Sequence, residues 1–326
     1  MAETLLEVKD LKTCFFTERG VAPAVDGVSF SVKKGRILGI VGESGSGKSV
    51  TSLSVMRLLQ EPAGKIMGGQ ILFEGQDLTK LTDKQMCKIR GRQIAMVFQE
   101  PMTALNPVYT VGEQISEIYV VQKKMKKKEA WQKATEMLRM VGIPSPETRM
   151  RVYPHQMSGG MRQRVVIAMA LACDPELIIA DEPTTALDVT IQAQILRLMK
   201  QLKEKTGASI MLITHDLGVI RQMSDDVIVM YCGQIVESGT VEQIFHHMSH
   251  PYTKGLLESI PTLKGDGNRL KAIDGMVPSL YDLPQGCRFH PRCPYATERC
   301  AKECPELRQV EPGHSTRCFL DIFGKE

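Results

Sequence analysis

Residues 42 to 49 read GESGSGKS, a G-x-x-x-x-G-K-S loop set directly after the apolar run ILGIV and directly before SVTSLSVMRLL, which has helical spacing. No other segment constrains the fold as tightly. Strand, Gly-rich turn and helix in that order make one βα unit of a parallel sheet, built around an anion. Gly42, Gly45 and Gly47 reach backbone angles that other residues avoid, so successive N–H groups converge on one concavity. The helix beginning near Lys48 turns its positive end on the same point. Lys48 is placed to reach the outer phosphates of a nucleotide, and the Ser49 hydroxyl is placed to ligate Mg²⁺. Glu43, Ser44, Ser46 and Val50 complete the phosphate-binding stretch.

Three further segments carry matching chemistry. LIIADEP at 177–183 is an apolar strand ending in two acids. Asp181 at its carboxyl end is expected to reach Mg²⁺ through water, and Glu182 to polarise an attacking water beside the γ-phosphate. ITHD at 213–216 ends the next strand the same way and offers His215 as a γ-phosphate contact. MSGGM at 157–161 heads the helical run RQRVVIAMAL, so Ser158, Gly159 and Gly160 form a second anion-binding helix start. One phosphate loop already serves the chain's own nucleotide. A second implies a phosphate supplied from a partner subunit.

The surrounding chain reads as α/β. Residues 4–41 are β-rich, residues 108–160 carry period-3.6 patterns without a strong strand, and from 164 short apolar strands alternate with helices. The run KKMKKK at 123–128 reads as a solvated helix–helix connection, and VIVMYCGQIVESG at 227–239 as a hairpin turning near Cys-Gly. After about 260 the chain is punctuated by Pro and Gly. Lys plus Arg is 41 against 37 for Asp plus Glu, a net charge of +4, too small and too scattered an excess for phosphate-neutralising nucleic-acid binding. The longest apolar run, Val165 to Cys173, has nine residues, short of a membrane helix. The opening MAETLLEVKDLK lacks an apolar signal core, so secretion is not expected.

Cysteine placement is lopsided. Cys14, Cys87, Cys173 and Cys232 are scattered, while Cys287, Cys293, Cys300, Cys304 and Cys318 follow C-x₅-C-x₆-C-x₃-C-x₁₃-C. By ligand type the cluster suits iron–sulfur or zinc equally. Either would act as a staple for a segment with little apolar periodicity.

Together these segments resemble the ATP-binding-cassette (ABC) ATPases. The phosphate loop, Gln99 in VFQEP, the SGG segment, IIADEP, ALD at 186–188 and His215 share that family's order and spacing over roughly residues 5–260. The resemblance implies a P-loop NTPase of the ABC fold, with an N-terminal antiparallel β subdomain, a RecA-like parallel-sheet core and a helical subdomain at about 102–162. These would make up a nucleotide-binding domain over 1–260, followed by a Cys-rich extension over 261–326. It further implies ATP and Mg²⁺ as ligands and head-to-tail dimers. Phe15 then resembles the aromatic that stacks on adenine. Gln99 resembles a glutamine touching Mg²⁺ and sensing a transmembrane partner. Ser158, Gly159 and Gly160 resemble the signature, Asp188 an aspartate reaching across the dimer, Glu182 the catalytic base and His215 the switch histidine. The signature commonly ends in Gln; here Met161 stands there.

FQEPMTALNP, YPHQMSGGMRQRV, HPYTKGLLESIP and GCRFHPRCPYATERC are similar to the D-type ATPases of dipeptide and oligopeptide importers. That branch implies two permease subunits, a second, F-type ATPase, an extracytoplasmic peptide-binding protein and no nucleic acid. It implies a peripheral position on the cytoplasmic face of a prokaryotic membrane. It also implies a 4Fe–4S cluster on Cys287, Cys293, Cys300 and Cys318, with Cys304 extra. Related importers carry nickel, glutathione or sugar oligomers, so the cargo stays open among these, and a non-transport ABC ATPase is the distant alternative.

Overall fold

Twelve strands carry the fold among the described residues: β1 Thr4–Thr17, β2 Gly20–Lys33, β3 Ile37–Val41, β4 Gly64–Phe73, β5 Gln76–Asp77, β6 Ile94–Val97, β7 Leu177–Asp181, β8 Ser209–Ile213, β9 Asp226–Tyr231, β10 Gln234–Thr240, β11 Arg308–Glu311 and β12 His314–Thr316. The computed structural model describes residues 3–185, 187–259 and 272–320. The expected boundary at 260/261 lies outside them. The chain divides into two units. One comprises Thr4–Val32, Arg36–Lys80 and Leu212–Glu326; the other comprises Met1–Glu3, Lys33–Gly35 and Leu81–Met211.

In the first unit an antiparallel sheet runs in the order β2-β1-β4-β5. Its β1 buries Leu5, Leu6, Val8 and Leu11. A register shift between Lys9 and Lys12 bends it against β4. A second set runs β11-β12-β10-β9-β3. Here β3 pairs in parallel with β9, Ile40 opposite Ile228 and Val41 opposite Val229. All five residues of β3 are buried, which is why ILGIV reads as an unbroken apolar run. Each such Leu, Ile or Val contributes about 1.5–3 kcal/mol by leaving water. The β9–β10 hairpin closes through Cys232 and Gly233, both at positive φ (43° and 81°), the two-residue turn that suits right-twisted strands.

The C-terminal segment shares this core. Phe289, 2% exposed, packs with both ring centroids of Tyr231 and Tyr252 at 5.3 Å, and β12 pairs antiparallel with β10. Aromatic packing, a strand pairing and ion pairs such as Arg288 to Asp26 hold it, without a periodic apolar face.

The second unit sets its strands β8-β7-β6, with Ile94 of β6 opposite Leu177 of β7 in a parallel pair. Helices Gly159–Leu171 and Val189–Thr206 supply buried apolar faces. The helical stretch contains Val111–Lys123 and Lys127–Met140. Thr110 and Glu113 cap the former reciprocally. The KKMKKK run spans the joint between these two helices, turned at Lys124 (φ 54°). Gly112 lets them close, since a Cβ there would lie 2.7 Å from Trp131 Cη2.

Candidate functional site

The phosphate loop leaves β3 at Gly42, where a Cβ would lie 2.2 Å from the Met230 carbonyl oxygen, so only glycine fits between loop and β9. Gly47, at φ 100°, starts the helix Lys48–Met56 and would drive a Cβ to 2.4 Å from Ala24 O. Between them Ser44 and Gly45 are exposed at the crest, Ser46 is buried, and Ser49 and Val50 are half-buried. Lys48 is 5% exposed, and its ammonium donates to Gly42 O at 2.8 Å and Glu43 O at 2.9 Å. Its charge is therefore stored over the loop's own carbonyls, inside the arc that would hold phosphate.

In the same unit, Thr214 N–H donates to Ile40 O at 3.2 Å, fixing the backbone one residue before His215. One residue after it, Asp216 caps the helix Leu217–Met223 by accepting from Gly218 and Val219 N–H. His215 stands exposed between two pinned neighbours. Phe15 on β1 is half-buried against Gly64, where a Cβ would meet its Cε1 at 2.9 Å; the next ring, Phe16, is the one that reaches solvent.

The other unit holds the acids. Asp181 ends β7 at 5% exposure. Glu182 follows at φ 46°, a left-handed backbone rarely adopted by a residue of its size and a mark of functional sites. Its Oε2 accepts from Thr185 Oγ1 at 2.8 Å and from Gln99 Nε2 at 3.1 Å. Two residues 83 apart in sequence, both singled out for the phosphate chemistry, thus meet directly. Ser158 caps the helix Gly159–Leu171, accepting from Met161 N–H, and is exposed with Gly159. Gly160 sits so close to Ile191 that a Cβ would lie 2.6 Å from Cγ2. Ile191 N–H in turn donates to Asp188 Oδ1 at 2.9 Å. Gly160 and Asp188 therefore both contact Ile191, one through its side chain and the other through its backbone N–H.

Cys287, Cys293, Cys300 and Cys318 line one small apolar cavity with Phe289 and Leu320, while Cys304 stands exposed, away from its lining. Burial pushes the Cys287 thiol up to about 12, and it also raises Cys293 and Cys318. The expected iron–sulfur ligand set is not preformed: among the described residues no three His, Cys, Asp or Glu side chains are arranged to hold a metal ion.

Arg292 and Tyr252, which touch the phosphate loop through Glu43, carried no local signal in the sequence. Their partners lie more than two hundred residues away, and only the segments HPYTKG and FHPRCPY, singled out by resemblance, pointed at them.

Comparisons with known proteins agree with this geometry. A family model described as ABC transporter matches residues 25–185, and one described as Oligopeptide/dipeptide transporter, C-terminal region, matches residues 236–300. The chain is 58% identical to the oligopeptide transport ATP-binding protein AppD of Bacillus subtilis, covering 97% of each chain. It is 50% identical to the dipeptide transport ATP-binding protein DppD of Escherichia coli, covering 98% of each. The solved dimeric post-hydrolysis state of the ATP-binding cassette MJ0796, bound to ADP and Pi, superposes with a TM-score of 0.65 at 29% identity, over 72% of this chain and 98% of that one.

Proposed function

Because the chain belongs to the ABC transporter family, we propose that it is the ATP-hydrolysing subunit of an importer that takes up dipeptides or oligopeptides through partner permeases. The observation that carries this reading is the near full-length likeness to peptide transport ATP-binding proteins, which extends through the C-terminal region. Among the described residues no helix is long and apolar enough to cross a membrane, consistent with a peripheral subunit that borrows its path from permeases.

Residues 1–260 serve as the nucleotide-binding domain, with a helical subdomain at about 102–162, and residues 261–326 as the extension. ATP lies on Gly42–Val50, with Phe15 toward adenine, His215 toward the γ-phosphate and Lys48 neutralising the phosphates. Ser49, Asp181 and Gln99 are the residues that would hold Mg²⁺, which when bound offsets charge on the phosphates. Glu182, held by Gln99 and Thr185, is the base that takes a proton from the attacking water. The exposed Ser158 and Gly159 suit a nucleotide on a second, F-type ATPase in a head-to-tail pair, with Asp188 beside them. Two permeases and an extracytoplasmic peptide-binding protein complete the assembly on the cytoplasmic face of a prokaryotic membrane. In vesicles reconstituted with those partners, a labelled dipeptide should accumulate only with ATP. Accumulation of nickel or glutathione in its place would overturn the cargo assignment.

A 4Fe–4S cluster on Cys287, Cys293, Cys300 and Cys318 is supported by the donor set, four thiols around one apolar cavity. When bound, it would staple the extension. The full chain purified without oxygen is expected to absorb in the visible and to hold about four irons, retained in Cys304→Ser and lost in Cys318→Ser. No iron by elemental analysis would rule the cluster out.

A further inference from the structure

Glu43 is the second residue of GESGSGKS, and it is the one acid of that loop. It adds a carboxylate to a loop whose backbone N–H groups and helix start serve an anion. An unpaired negative charge there opposes a triphosphate.

That charge is neutralised from near the other end of the chain. Arg292 Nη1 lies 2.7 Å from Glu43 Oε2 and Nη2 lies 3.1 Å from Oε1, a bidentate guanidinium–carboxylate pair. The Arg292 side chain is only 3% exposed, and it is held in turn. Its Nε donates to Asp274 O at 3.0 Å and its Nη2 to Ile273 O at 3.2 Å, with its plane near the rings of Tyr231 and Phe289. The Glu43 backbone is fixed as well, its N–H donating to the Tyr252 hydroxyl at 2.8 Å. The grip is not solitary. Arg288, four residues earlier, pairs with Asp26 and donates to Cys232 O.

Resting on the assignment of this loop to ATP, we infer that Arg292 is a positioning residue of the nucleotide site, acting through Glu43. It neutralises the acid of the phosphate loop and fixes its carboxylate. The C-terminal segment thereby sets how strongly the loop attracts phosphate.

The test is ATP binding by the full chain, purified anaerobically, with melting curves for every variant. Arg292→Gln frees the Glu43 carboxylate and weakens ATP binding about tenfold at low salt, the cost of leaving one partner of a partly buried charged pair unmatched. Raising the ionic strength narrows the gap, because the repulsion is screened. In turnover the loss falls on KM, with kcat moving less than about twofold. Glu43→Gln removes the negative charge and tightens binding about threefold, and in that background Arg292→Gln gives back only that threefold, returning affinity to about the wild-type value. Should Arg292→Gln fail to fold, Arg292→Lys carries the test, with an intermediate and likewise salt-sensitive loss. The proposal is overturned if Arg292→Gln binds ATP as the wild type does. It is equally overturned if the tenfold loss persists in the Glu43→Gln background, since Arg292 would then be only a packing element of the segment. A wild-type chain that binds no ATP refutes the nucleotide assignment itself, a result distinct from both.

Discussion

Replacing Glu182 with Gln stops ATP turnover while ATP binding survives. The rate of phosphate release is expected to fall by about 10²- to 10⁴-fold, the span of a general base's contribution. The substitution is clean for a structural reason. Oε2 of Glu182 only accepts, from Thr185 Oγ1 and Gln99 Nε2, and a glutamine carbonyl can accept both bonds in the same place. The left-handed backbone at φ 46° then keeps its side-chain anchors, whereas Ala at this position would lose them along with the base. What the amide lacks is the capacity to take a proton from water. ATP-bound dimers of the variant with the partner ATPase should therefore persist, seen as a stable ATP-dependent shift in size-exclusion chromatography. Hydrolysis at the wild-type rate in the assembled complex would show that another group is the base.

The parts of the site that were legible in the sequence are those whose chemistry is local. A strand, a glycine-rich turn and a helix place Gly42, Gly47 and Lys48 by backbone rules alone, and Asp181 follows from being the last residue of an apolar strand. Ser158 is likewise local, a cap one residue before its helix. Met161 looked like a departure in a motif that commonly ends in Gln. Its contribution to the Ser158 cap is a backbone N–H, which any residue except proline supplies. What stayed hidden are contacts between distant segments. Gly160 needs to be glycine because Ile191 presses on it, and Glu43 meets Arg292 across 249 residues. Neither leaves a periodicity or a spacing behind. The C-terminal segment was obscure for a related reason. Its order rests on Phe289 packed against two tyrosines, on a short strand added to β10 and on ion pairs from Arg288 and Arg292 to residues far earlier in the chain, long-range contacts that leave its apolar pattern sparse.

Lys48→Ala should abolish productive ATP binding, and its cause differs from that of every charge variant around it. The residue is 5% exposed, and its ammonium is already bonded to Gly42 O and Glu43 O. Alanine removes the positive charge meant for the outer phosphates. It also leaves two carbonyl oxygens without that donor, inside the arc where a triphosphate must fit. Loss of the ammonium's hydrogen bonds to the phosphates costs about 1.5–3 kcal/mol each, so affinity is expected to fall at least about a hundredfold, with turnover below detection. Lys48→Arg does not rescue it, because a planar fork replaces a compact point charge beneath a loop with no room for it. Salt separates the mechanisms. The defect of Arg292→Gln is repulsion and shrinks as ionic strength rises, whereas Lys48→Ala has lost a direct contact, and added salt weakens what attraction remains. Titrating ATP against both variants at two salt concentrations, followed by fluorescence of a bound nucleotide analogue, resolves them. A Lys48→Ala chain that binds ATP within tenfold of wild type would mean that the backbone N–H groups of the loop, and not its lysine, supply most of the phosphate affinity.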